Sequence, residues 1–208
     1  MDIHKPKAAR SLREFMIEIG TITIGILIAL GLEALVQERH NHDLADHARA
    51  DLRRELDGNR RALLADITQE RAAAPGLDRL IDYYRTRLSG KSAKLPPDLK
   101  LDVSFQPMND AAWQSTVGAQ ALVHMPYDQA QVLARAYAGT RIFSDFQADA
   151  VRHWFELSAL PDDSTTLSDD DLKWTLRILT LNREYQASLR SSGAGLLKLY
   201  DNALASLK

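Results

Sequence analysis

Residues 15–36 read FMIEIGTITIGILIALGLEALV, and this apolar stretch decides the fold of the chain. A helix of this length rises about 33 Å, close to the roughly 30 Å hydrocarbon thickness of a bilayer. Its uncharged centre, residues 19–32, is shorter, so Glu18 and Glu33 are expected near opposite membrane interfaces. The stretch therefore predicts a transmembrane helix.

A cleavable signal peptide is the alternative interpretation, because four basic residues precede the apolar run. The run is long for a signal peptide and small residues are poorly placed for cleavage, which favours a retained anchor. Basic residues before a span favour a cytoplasmic N-terminus. We expect residues 1–14 to form a cytoplasmic tail, residues 15–36 to cross a bacterial inner membrane, and the remainder to lie in the periplasm.

One face of the predicted span carries small residues between two glutamates. With about 100° between successive residues, this face is about 120° wide. It contains Glu18, Thr21, Gly25, Ala29, Glu33 and Val36. Small residues spaced by four let membrane helices approach closely, so we predict a homodimer or docking on another membrane protein through this face. The alternative is that glycine and alanine are ordinary in bacterial spans and that both glutamates reach toward the headgroups.

The rest of the chain predicts an all-α protein. Residues 37–74 lack proline and are rich in strong helix formers, which indicates that the span continues into an extended helix or stalk. Pro75-Gly76 is expected to end this helix, because proline and glycine break helices. Residues 75–208 are then expected to form the head, a small antiparallel helical bundle.

Apolar periodicity and capping residues divide the predicted head into helices. We predict helices at 77–88, at about 109–125 with a bend or break at Gly118, at 128–138, at 141–160, and from Ser168 onward. Gly139 is expected to separate the third and fourth of these. Residues 91–107 are predicted to form a loop, with one short extended piece at 101–105.

Three segments resemble a family of bacterial single-span membrane proteins with a helical domain of unknown function. They are IGILIALGLEAL at 24–35, DLRRELDGNRRALL at 51–64 and AAWQSTVGAQALVHMPYDQAQVLARAY at 111–137. The resemblance implies an integral membrane, all-helical protein and carries over no catalytic residues. Trp113 stands where the family more usually has tyrosine or phenylalanine, which suits the same packing role.

Composition and motifs argue against several classes of function. The chain has no cysteine, which excludes thiolate nucleophiles and cysteine metal sites. Its 26 Lys+Arg against 28 Asp+Glu provide no basic field for nucleic acid. Phosphate-binding, nucleophile-elbow and zinc-protease motifs are missing from the sequence. We therefore expect no enzyme, no catalytic residues and no cofactor.

A polar cluster follows the span and could in principle bind a metal ion. His40 precedes the pairs His42/Asp46 and Asp43/His47, each of which is spaced for one helix face. The two pairs point about 100° apart, so one helix cannot gather them around one ion, although a dimer could. We favour a solvated polar stalk and predict no metal site.

Six aromatic residues of the head could line a ligand pocket between helices or form its core. They are Trp113, Tyr137, Phe146, Trp154, Trp174 and Tyr185. At these spacings a core role is the favoured interpretation. The sequence thus predicts a non-catalytic accessory or scaffolding membrane protein, with a periplasmic ligand-binding or sensory module acting through a partner protein as the alternative.

Overall fold

The computed structural model describes residues 12–95, 106–158 and 167–208, and within these residues the chain is helical and has no strand. Four α-helices and one short 3₁₀ turn make up the described fold. They are α1 (Leu12–Leu88), α2 (Ala111–Gly118), the 3₁₀ turn (Ala121–His124), α3 (Tyr127–Ser158) and α4 (Asp169–Ser206). The predicted all-α class is confirmed. The extended piece expected at 101–105 lies outside the described residues.

The chain divides into two compact units, Met1–His47 and Ala48–Lys208, and α1 contributes residues to both. In the first unit the apolar side chains of α1 are exposed, from Leu12 at 79% to Ile19 at 44%. Among the described helices, α1 alone is long and apolar enough to cross a membrane by length and composition. A retained anchor and an N-terminal signal sequence share this property.

The second unit is a bundle of three long helices. Hydrogen bonds join Glu55 to Tyr137 and Asp66 to Gln147, so α1 and α3 run in the same direction. The contacts of α1 with α4 run the opposite way along the chain, with Arg60 bound to Asp201 and Asp78 bound to Arg183. Helix α4 is therefore antiparallel to both of its long neighbours.

The core of the bundle is built from the leucine stripe of α1 and the facing sides of α3 and α4. The largest fully buried side chains are Leu52, Leu56, Leu63, Leu77, Leu133, Thr175, Leu179, Leu189 and Tyr200. Residues 48–74, predicted as part of an extended helix entering the head, thus supply much of this core. Each such leucine removes apolar surface from water, which stabilises the fold by about 1.5–3 kcal/mol.

The predicted helix break at Pro75-Gly76 is wrong, because α1 continues through Pro75 to Leu88. Proline inside a helix removes one hydrogen bond and costs about 3 kcal/mol. Buried side chains on both sides offset this cost, since Leu63 precedes the proline and Leu77 and Ile81 follow it on the core side. The predicted end at Ser89-Gly90 is confirmed, and Gly90 adopts the left-handed φ of 73° that glycine tolerates.

The break predicted at Gly139 is also wrong, because α3 is one helix across this position. A Cβ atom at Gly139 would lie 2.9 Å from Leu199 and 3.0 Å from Leu196. The glycine therefore allows close packing of α4 on α3 and does not end the helix. The break at Gly118 is confirmed, because α2 ends there.

The predicted start of the last helix at Ser168 is confirmed. The Ser168 hydroxyl accepts a hydrogen bond from the Asp171 backbone nitrogen at 3.2 Å. The Asp171 carboxylate accepts one from the Ser168 backbone nitrogen at 3.1 Å. These reciprocal bonds form a capping box and satisfy two backbone donors that the helix itself leaves unpaired.

Candidate functional site

The candidate interaction face, Glu18, Thr21, Gly25, Ala29 and Glu33, lies within the helical part of α1 that belongs to the first unit. All five residues are exposed. Because α1 is continuous here, the helical period brings them to one face. The structure thus places the predicted residues together on one exposed helix face.

The centre of this face is open to a neighbouring helix. The Thr21 hydroxyl donates to the carbonyl of Ile17 at 2.9 Å, so its one proton is used within the helix. A Cβ atom added at Gly25 would meet no atom within 4 Å. The position of Gly25 is therefore open, and the missing side chain lets a second backbone approach it.

The histidine cluster after the span does not assemble a metal site in the described part of the chain. No group of three His, Asp or Glu side chains there could hold an ion. The His42 ring contacts the Glu38 carboxylate, with 3.2 Å between Nε2 and Oε1. At least one of these histidines thus contacts a carboxylate on the helix surface.

The six aromatic residues considered for a pocket are not gathered in one place. Trp113 stacks on Tyr137 with 4.8 Å between ring centroids, and Phe146 meets Tyr185 edge-on at 5.4 Å. Trp174 is 42% exposed. Of the six, Phe146 alone lines the groove between α3 and α4 described below. The aromatic residues therefore act mainly as separate packing contacts.

A row of polar side chains on α1 binds the segment that leads into α2, and the sequence did not predict it. Glu55 accepts hydrogen bonds from the backbone nitrogens of Ala112 at 2.8 Å and Trp113 at 3.2 Å. It also accepts one from the Tyr137 hydroxyl at 2.8 Å. A carboxylate at this position satisfies the free backbone donors of the α2 N-terminus and complements its dipole.

Two further residues extend this row along α1. The Asn59 side chain accepts from the Asn109 backbone nitrogen at 2.8 Å and donates to the Asn109 carbonyl at 2.6 Å. Asp66 accepts from the Gln106 backbone nitrogen at 3.1 Å and from the Gln147 side chain at 2.9 Å. The segment from Gln106 to Trp113 is therefore fixed to α1 at three successive points, and it runs antiparallel to α1.

Two buried tyrosines complete the polar contacts around this row. Burial raises the pKa of Tyr137 far above its ordinary value, and the hydrogen bond to Glu55 is the second cause of this shift. The phenol therefore stays protonated and donates its hydrogen bond to Glu55. Burial also raises the pKa of Tyr200 to about 12. The Tyr200 hydroxyl lies 2.8 Å from the Thr140 hydroxyl. Both groups act as neutral hydrogen-bonding partners in the core.

Glu70 and Arg190 differ from these residues, because each has a buried polar atom without a hydrogen-bond partner in the described structure. Burial raises the pKa of Glu70 to about 7, while Arg190 opposes the shift and Asp66 adds to it. The Oε2 atom of Glu70 and the Nη1 atom of Arg190 are buried and have no hydrogen-bond partner in the described structure. Such groups are rare in proteins because each carries a desolvation cost.

An open groove lies between α3 and α4, with a volume of about 650 Å³. Its floor is apolar and its α4 side carries small residues. The lining is Gly139, Ile142, Phe143, Phe146, Ser188, Ser191, Ser192, Gly195, Leu196 and Leu199. This volume lies within the roughly 300–1,000 Å³ typical of small-molecule sites.

Comparisons with known proteins add no relative of this chain. No family model, curated protein or solved structure matches it. Membership of a family of bacterial single-span membrane proteins is therefore still a prediction. It rests on residues 24–35, 51–64 and 111–137 alone. The function is therefore inferred from the chain's own chemistry.

Proposed function

We propose that the protein is a membrane-anchored, non-catalytic accessory or scaffolding protein that associates through its transmembrane helix, with the helical bundle as a further interaction module. The proposed location is a bacterial inner membrane, with residues 1–14 in the cytoplasm and the bundle in the periplasm. The observation that carries the proposal is the apolar length of α1, whose side chains are exposed around a face of small residues.

Lipid is the environment that suits these exposed side chains. Covering apolar surface stabilises a protein by about 25 cal/mol per Å², and α1 presents such surface on all its sides between Ile19 and Leu32. Lipid chains cover a bulky apolar surface well, whereas a flat face of Thr21, Gly25 and Ala29 packs better against a second helix. Association through this face follows, either with a second copy or with another membrane protein.

Leucine substitution at Gly25 and Ala29 tests the association. Two leucines would project from the flat face and hold a neighbouring helix away, so we expect the Gly25→Leu/Ala29→Leu variant to lose at least about tenfold in self-association or in recovery of its membrane partner. Fluorescence energy transfer between labelled copies in vesicles measures self-association. Co-purification in mild detergent measures recovery of the membrane partner.

The chain offers a matched control on the opposite side of the same helix. Gly31→Leu/Ala34→Leu adds the same two side chains about 140–160° away from the centre of the proposed face. This control should associate like the wild type. Equal association of all three proteins, with no co-purifying partner changed, would exclude the face as an interaction site.

A ligand-binding or sensory module is the second candidate, and the groove between α3 and α4 favours it. The ligand would be an apolar small molecule, because apolar side chains line the groove, Phe143, Phe146 and Leu196 among them. Extraction in mild detergent separates the two functions. A stoichiometric membrane protein in the purified sample supports the accessory role, whereas a bound apolar compound identified by native mass spectrometry supports the ligand-binding role.

A further inference from the structure

Two residues beyond the span repeat the register of the proposed interaction face. Asp43 follows Gly25 by 18 residues, and His47 follows Ala29 by 18 residues. This offset is five full turns of a helix with about 3.6 residues per turn. Helix α1 is continuous over all four positions. Asp43 and His47 therefore lie on the same side of α1 as Gly25 and Ala29, about 27 Å further along the helix.

This side of α1 is open at both residues. Asp43 and His47 are exposed, whereas Ala45, which lies between them in the sequence and about 160° away around the helix, is fully buried. Among the described residues, no hydrogen bond or ion pair engages either side chain. The carboxylate and the imidazole are thus both presented on the surface of the helix.

These two side chains suit one divalent metal ion. Residues four apart on a helix have about 5–6 Å between their Cβ atoms, and two ligands at this spacing bind one zinc ion in the His-Glu-x-x-His motif. Zinc takes imidazole nitrogen and carboxylate oxygen, and its closed sites have four protein ligands. In a single chain no group of three His, Asp or Glu side chains among the described residues could hold an ion. The pair therefore needs ligands from elsewhere.

We propose that Asp43 and His47 of two copies bind one zinc ion between them, which makes a second copy of this chain the partner of the membrane face. This inference rests on the proposed association through Gly25 and Ala29. Two spans that enter the membrane in the same orientation pair in parallel, so equal residues stand at the same level. The two copies then supply two imidazoles and two carboxylates, the four ligands of a closed zinc site.

The geometry and the charge of such a pair both depend on Asp43. At the crossing angle of about 20° common among membrane helices, two copies stay close at this level, whereas a crossing of about −40° would part them. The proposal therefore requires the smaller angle. Without a metal ion the two Asp43 carboxylates repel each other across the pair. The double positive charge of zinc neutralises both carboxylates, so metal binding turns a repulsive contact into a link.

Self-association in vesicles, with and without zinc, tests the proposal. The full chain is purified without a histidine tag, stripped of metal with a chelator and reconstituted as labelled copies. We expect fluorescence energy transfer to show that zinc chloride strengthens self-association at least about tenfold, because an ion that binds only the dimer shifts the equilibrium toward it. Bound zinc, measured by mass spectrometry, should reach one ion per two chains.

Two double variants with the same residue types test the ligands. Asp43→Ala/His47→Ala should associate without zinc at least as well as the wild type, and it should lose the response to zinc. His42→Ala/Asp46→Ala is the matched control, because this pair has the same spacing but points about 100° away around α1. The control should respond to zinc like the wild type.

The outcomes separate this inference from the proposed function. Self-association that ignores zinc, or a zinc response that both double variants keep or lose alike, would overturn the shared site and leave association through Gly25 and Ala29 standing. No self-association at any zinc concentration would also overturn the site. The proposed function then fails as well only if Gly25→Leu/Ala29→Leu keeps every membrane protein that co-purifies with the wild type.

Discussion

Replacing Glu55 with alanine should lower the free energy of unfolding of the bundle by about 3 kcal/mol. The substitution removes one carboxylate and leaves three donors unpaired, namely the backbone nitrogens of Ala112 and Trp113 and the hydroxyl of Tyr137. Each unpaired buried donor costs about 1–3 kcal/mol, and the three are coupled through one acceptor. Urea unfolding followed by circular dichroism in detergent measures the change.

Two variants on the same helix serve as controls for Glu55→Ala. Glu55→Gln keeps one acceptor oxygen and should lose clearly less stability than the alanine variant. Asp57→Ala removes an exposed carboxylate that pairs with Arg61, and exposed pairs contribute under about 1 kcal/mol. Equal losses for Glu55→Ala and Asp57→Ala would contradict the proposed anchoring of α2 to α1.

The second large effect is expected for Leu63→Ala, which should lower the free energy of unfolding by about 3 kcal/mol. Leu63 is fully buried, and a Cβ atom at Gly193 would lie 3.4 Å from its Cδ1, so α4 packs closely against this side chain. Truncation removes its apolar contacts and leaves a cavity that two rigid helices fill only in part. Urea unfolding measures this change as well.

The neighbouring residue is the control for this prediction. Leu64 is 39% exposed on the same turn of α1, so Leu64→Ala should cost less than about 1 kcal/mol. A loss for Leu64→Ala as large as that for Leu63→Ala would mean that the buried face of α1 has been assigned wrongly. The pair also distinguishes core packing from a general loss of helix propensity, because both changes introduce the same residue.

Local patterns predicted the class of fold and several helix ends. The cap at Ser168, the break at Gly118 and the end at Ser89-Gly90 were all correct, because each depends on residues within one turn. Pro75 and Gly139 misled the prediction for the opposite reason. Their local preference for a break is overridden by packing against helices far away in the sequence.

The candidate site was predictable only in part. The face around Gly25 follows from helical periodicity alone, so the sequence was sufficient to locate it. The polar side chains of Glu55, Asn59 and Asp66 were not predicted to bind other segments. Each follows a core leucine by three residues, and polar residues beside an apolar stripe look like the solvent-exposed side of a helix. Their partners lie 40 to 82 positions away in the sequence. A polar residue repeated at a fixed offset from the leucine stripe was the available signal.

The central claim is that residues 15–36 are retained and cross the membrane, and labelling of single cysteines tests it most directly. The chain has no cysteine, so Lys5→Cys and Lys208→Cys each provide one unique thiol. In spheroplasts, a membrane-impermeant maleimide should label Lys208→Cys at once and Lys5→Cys only after lysis. Protection of both thiols until lysis, or a mature chain that lacks the Lys5→Cys position, would contradict the account.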